Sequence, residues 1–204
     1  MKIHMAWHLG NMKNLVNALF WVCISFTSCR TQLSKQKPSI QVVQTKNQTL
    51  IGLKGSNFKG TIFTKEYPFQ LLFVSDIDSI QRFTPSLEDV GIAENLLRQQ
   101  LKTINKLRPN QQAGNPVLHR NLPKYFRQYV GFIDKNGDKI IHINFHWNRY
   151  NIIDKINNYI YFNDSRINYD SDYTLVMDGG SYYWGINANI TQKRLTDLGV
   201  NGFG

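Results

Sequence analysis

Apolar and polar residues alternate on both sides of Asn136-Gly137 through residues 125–147, the pattern of a β-hairpin. A type I′ turn at Asn136-Gly137 would have positive φ at both positions. It would pair Ile133 with Ile140, Gly131 with His142, Tyr129 with Asn144 and Arg127 with His146. The intervening pairs, Phe132 with Ile141, Val130 with Ile143 and Phe126 with Trp147, then form an apolar face for the core. The opposite face presents Arg127, Tyr129, His142, Asn144 and His146.

Leu87, Val90, Leu97, Leu101 and Ile104 recur at helical spacing and predict an amphipathic helix. Thr84-Pro85 is its start signal, with proline at the first helical position. Glu88 and Asp89 suit the positive end of the helix dipole, and Arg98, Lys102 and Lys106 the negative end. Pro109 stops the helix. Ahead of it, residues 40–43, 50–53, 61–63 and 69–74 read as short strands between polar turns. After the hairpin, residues 173–177, 181–190 and 194–200 read as strands, with Leu175, Met177, Tyr182, Trp184 and Ile186 pointing inward. The expected fold is α+β, one long helix packed on an antiparallel sheet built of hairpin and meander. Such an arrangement is compatible with a cystatin-like one.

The first 38 residues follow a different pattern. Leu15 to Ser28 is an uncharged, largely apolar run of 14 residues. It is too short for a comfortable membrane span of about 20 residues but fits the apolar region of a signal peptide. Lys13 supplies the positive flank, and Met12 reads as an alternative start to Met1. Phe26-Thr27-Ser28-Cys29 looks like a lipobox, the processing signal of bacterial lipoproteins, with Phe26 in place of the usual leucine-type residue. Residues 1–28 are therefore expected to be a signal peptide, 29–38 a lipidated Cys29 with its tether, and 39–204 a single α+β domain. The expected location is the cell envelope. Arg30, where an aspartate would retain many lipoproteins in the inner membrane, points to the outer membrane, facing the periplasm.

Charge agrees with that division. Of 24 Lys and Arg, nine precede Glu66, the first acidic residue, which leaves 15 basic against 14 acidic residues beyond it. A basic front end beside an anchor is attracted to anionic lipid, so the net charge of +10 is read as a membrane signal and nucleic acid is not expected as a partner. Both cysteines, Cys23 and Cys29, lie in the leader, which excludes disulfides and cysteine-based zinc sites from the body.

Little catalytic chemistry is written in the body. Residues 134–138, DKNGD, place glycine fourth, whereas a calcium loop of EF-hand type needs it sixth. His142 and His146 would share a metal on a helix, but on a strand they stand about 13 Å apart. No nucleophile elbow, P-loop, HExxH or CxxC occurs. No catalytic residue, metal ligand or cofactor is expected. The candidate ligand face is Arg127, Tyr129, His142, Asn144 and His146, suited to an anionic or sugar ligand. The expectation is a non-catalytic envelope lipoprotein that binds a protein or small-molecule ligand through a sheet face. The alternatives are an envelope hydrolase acting on glycans or peptides and a secreted toxin- or immunity-type protein.

Several motifs resemble those of small lipoproteins of Bacteroidetes-type bacteria. They are Arg82-Phe83-Thr84-Pro85, Tyr129-Val130-Gly131-Phe132-Ile133 leading into Asn136-Gly137, Asp178-Gly179-Gly180-Ser181-Tyr182-Tyr183-Trp184, and Gly199-Val200-Asn201-Gly202. The similarity runs from Gln81 to the C-terminus. It implies a location and no activity, cofactor or partner. A looser lipobox in those organisms agrees with Phe26.

Overall fold

A computed structural model describes residues 39–45, 47–69, 81–148 and 169–202. All belong to one compact unit, Lys37–Gly204. The expected signal peptide (1–28) and the expected lipidated Cys29 with its tether (29–38) lie outside the described residues.

The unit is α+β, an eight-stranded open sheet with one long helix against it. The strands are β1 (Gln41–Val43), β2 (Leu50–Lys54), β3 (Lys59–Phe63), β4 (Arg82–Phe83), β5 (Tyr125–Ile133), β6 (Lys139–Trp147), β7 (Tyr183–Asn189) and β8 (Arg194–Val200). Their order is β1-β2-β3-β5-β6-β7-β8, and β4 pairs with β5 beyond the end of β3. Every pair is antiparallel except β3 with β5. A parallel pair needs a long crossover, and here it contains β4, helix α1 (Leu87–Ile104) and the short helix α2 (Leu118–Asn121).

Ser86 caps α1. Its hydroxyl accepts from the Asp89 amide at 3.1 Å, and Asp89 Oδ2 accepts from the Ser86 amide at 3.1 Å, a reciprocal capping box. Pro85 therefore precedes the cap and is not the first helical residue. A 3₁₀ turn, Asn105–Leu107, continues the helix until Arg108 turns left-handed at φ 47° before Pro109. Val90, Ala93, Leu96, Leu97 and Leu101 pack on Leu53, Ile62, Ile141, Ile143, Phe145, Trp184, Ile186 and Leu195. Phe145 and Trp184 stack with centroids 3.6 Å apart. Leu87, expected in the apolar stripe, is exposed.

The hairpin has a different register from the expected one. Tyr129 pairs with Ile143, Val130 with His142, and Arg127 with Phe145. Positive φ is confined to Gly137 in the turn, at 82°, so the loop has three residues, not two. The cause is Asp134, whose Oδ1 accepts from the amides of Asn136 and Asp138, both at 2.9 Å. This Asx-type turn stabilises a type I turn that closes through left-handed Gly137. The added loop residue slips the pairing by one, and a slip of one exchanges the faces of one strand against the other.

Residues 173–177 are not a strand. They are tied down from the C-terminal side by Asn201, whose Nδ2 donates to the carbonyls of Val176 and Asp178. With no ladder to alternate against, Leu175 and Met177 are exposed and do not face the core. Trp184 and Ile186 do. Tyr182 is half-buried in a 3₁₀ turn, Gly180–Tyr182, edge-on to Trp147. The expected strand at 69–74 lies, apart from Phe69, outside the described residues.

Candidate functional site

The register slip divides the five expected ligand-face residues. Arg127 and Tyr129 face α1, and His142, Asn144 and His146 occupy the opposite face. They do not form one surface.

On the helix side, Arg127 Nε lies 2.8 Å from Glu94 Oε1, and the Tyr129 hydroxyl donates to that oxygen at 2.9 Å. Arg127 Nη1 donates to the Tyr125 carbonyl at 3.1 Å, and its guanidinium lies near the rings of Phe58 and Phe145. Burial, then the Glu94 carboxylate, hold the Tyr129 phenol well above its ordinary value. The group is sealed and offers no ligand surface.

On the other face, residues 169–174 form a strap across β3, β5 and β6. Gln128 is its centre. Its Nε2 donates to the carbonyls of Tyr169 and Asp172 at 2.9 and 2.7 Å. Its Oε1 accepts from the Thr174 amide at 3.2 Å and from Asn144 Nδ2 at 3.3 Å, and lies 3.0 Å from His146 Nε2. Asn144 Nδ2 also donates to the Thr174 carbonyl at 2.7 Å, and the Thr61 hydroxyl to the Asp170 carbonyl at 3.1 Å. Tyr169 stacks on His146 at 4.3 Å. Asn144 and His146 are thereby covered.

The chemistry fixes the tautomer of His146. Gln128 Oε1 only accepts, so His146 bears its proton on Nε2, and its buried Nδ1 has no hydrogen-bond partner. Burial pushes the imidazole down from 6.5 to about 4. A histidine depressed in the folded state contributes stability above its unfolded value that is lost as pH falls through the folded value. Lowering the pH from 6.5 to 4 should therefore cost about 3 kcal/mol through this residue. Urea titrations across that window should show the loss, and His146→Gln should flatten it. An equal slope in both proteins would remove His146 as the cause.

His142 is half-buried. Its Nδ1 lies 2.8 Å from Asn187 Oδ1, and Asn187 Nδ2 donates to Asp197 Oδ2 at 2.9 Å. The carboxylate dictates the amide orientation, so His142 donates from Nδ1 and keeps its lone pair on Nε2. Asp197 reaches this row through a bulge. β7 and β8 slip register between Gly185 and Asn187, and Asp197 takes φ 52°. A bulge breaks strict alternation, and the Asp197 carboxylate accepts from Thr196 on the same face at 2.9 Å. Burial lowers the His142 value, opposed by the contact with Asn187 and the charge of Asp197.

His142 is the one expected residue in the partly open part of this face. Asn187, Thr196 and Asp197 were not anticipated, because only the bulge brings Asp197 to that side. The Asp134 side chain was the signal that gives the correct register. In the 134–138 turn, Asp138 Oδ2 accepts from Asn189 Nδ2 at 2.9 Å and from Gln192 Nε2. Among the described residues no group of three or more His, Cys, Asp or Glu could hold a metal ion. No described helix is long and apolar enough to cross a membrane.

Compared with known protein families, curated proteins and solved structures, the chain matches none. The resemblance to Bacteroidetes-type lipoproteins therefore rests on its quoted motifs alone.

Proposed function

We propose that the chain is a bacterial envelope lipoprotein, anchored through Cys29, whose α+β domain binds a ligand or partner on the sheet face opposite α1. The observation behind the binding surface is the row His142, Asn187, Asp197. It crosses β6, β7 and β8 as a hydrogen-bonded series on a part-exposed face. Each side chain is oriented by the next, so the row presents fixed polar groups with little ordering entropy left to lose on binding. The anchor is supported by the leader pattern ending at Thr27-Ser28-Cys29.

One experiment addresses both halves in the native host. A photo-crosslinking side chain is placed at Thr196, beside the row, or at Gln99, exposed on α1. Each version is made with Cys29 and with Cys29→Ser, and cells are fed labelled palmitate. The expected result is label on the Cys29 forms alone, with an envelope adduct from position 196 and none from position 99. Label that survives Cys29→Ser would remove the anchor. The same adducts from both positions, or none from 196, would remove the binding face.

A further inference from the structure

The near-neutral body conceals a segregated charge. Between Glu94 and Asp134 there is no acidic residue, while seven Lys and Arg occur. Arg127 is paired in the core with Glu94. The other six are exposed. Among the described residues, Lys102, Lys106, Arg108 and Arg120 form no ion pair.

These cations converge at one pole. Gln111 Oε1 joins the end of α1 to α2: it accepts from Asn105 Nδ2, at the start of the 3₁₀ turn, at 2.9 Å and from the Leu118 amide, at the start of α2, at 3.2 Å, and half-buried His119 follows. Burial, then the positive charges of Arg120, Arg108 and Lys102, push its imidazole below the ordinary value. Lys102, Arg108 and Arg120 stand on the pieces that Gln111 joins, so the three cations share a neighbourhood although they come from separate elements. Leu107 stands between Lys106 and Arg108 and is 90 % exposed, more than any other large apolar side chain among the described residues. The helix dipole favours cations at a C-terminus and accounts for Lys102 and Lys106. It does not account for a bare leucine between two of these cations.

We infer that this basic pole, tipped by Leu107, docks on an anionic lipid surface. Unpaired Lys and Arg are drawn to a negatively charged headgroup layer, and an exposed aliphatic side chain among them gains by entering the acyl boundary. A nucleic acid would use the same cations through its phosphates but would gain nothing from the leucine. The inference holds with or without lipid on Cys29.

The test uses the full chain bearing Cys29→Ser, so acylation plays no part and its failure leaves the result intact. It is compared with the same chain carrying Lys102→Gln, Lys106→Gln and Arg108→Gln together, and with Leu107→Ser. All four side chains are exposed, so the fold is kept, and the leader contributes equally throughout. Flotation is measured with phosphatidylcholine vesicles and with vesicles containing phosphatidylglycerol, at low and high salt. Expected is salt-sensitive preference for the anionic vesicles, weakened about tenfold or more by the triple substitution and about threefold or more by Leu107→Ser. Equal partition of the triple variant and its parent on anionic vesicles would overturn the proposal. So would binding to polyuridylate that Leu107→Ser leaves unchanged while vesicle binding is absent, which would assign the pole to nucleic acid.

Discussion

Glu94→Leu should destabilise the domain by about 3–5 kcal/mol, and adding Arg127→Met should recover most of that loss. Glu94 lies on the inward side of α1 among Val90, Ala93 and Leu97, where helical spacing calls for an apolar residue. Its partner is a guanidinium only 2 % exposed. Arginine cannot shed its proton under ordinary conditions, so removing Glu94 strands a buried cation. Rings on two sides and the Tyr125 carbonyl soften the penalty without cancelling it. The neighbouring strand is built to fit: a Cβ on Gly60 would meet the Arg127 carbonyl oxygen at 2.5 Å and Tyr129 Cε2 at 2.7 Å. Replacing both charged partners with apolar side chains of similar volume removes the desolvation cost as well as the attraction. Denaturant titration of the two single variants and the double variant gives the coupling directly. A loss below about 1 kcal/mol for Glu94→Leu, or a double variant no better than the sum of the singles, would show that the pair is not a coupled unit.

That buried pair also shows where sequence patterns stop. The helix was legible because its stripe and end signals are local, and its expected end before Pro109 agrees with the left-handed Arg108. The strand at 194–200 was legible for the same reason. The hairpin was recognised but misregistered, because Asn136-Gly137 is compatible with two loop lengths and a side chain, Asp134, selects between them. With the register went the candidate face. Arg127 and Tyr129 are polar by composition, yet they sit in the core because Glu94, 33 and 35 residues earlier, meets them there. The parallel pairing of β3 with β5 and the bulge at Asp197 likewise depend on contacts between distant segments. Periodicity reports which residues alternate; it does not report what covers each side.

The strap on the second face gives the other large expected effect. Gln128→Met should cost about 4 kcal/mol and should open residues 169–174 before the rest of the domain. Methionine matches glutamine in length, so little volume is lost, and the effect isolates the five polar contacts that Gln128 makes. Two carbonyls and three donors are left facing an apolar side chain. A buried group without its partner costs about 1–3 kcal/mol, and Asn144 keeps its own bond to the Thr174 carbonyl. Local opening relieves the remainder, because a segment with no ladder of its own can detach while the sheet beneath stays paired. Hydrogen exchange should show this as lost protection at the Thr174 amide, with the β5–β6 ladder and α1 still protected. Asn144 and His146, hidden beneath the strap, would then become accessible, so the same variant asks whether the covered part of the face can bind. If Thr174 stays protected and stability falls by less than about 1 kcal/mol, the aromatic contacts of Tyr169 and Tyr173 hold the strap instead. In that case the open row at His142 is left as the accessible polar surface on that side of the sheet.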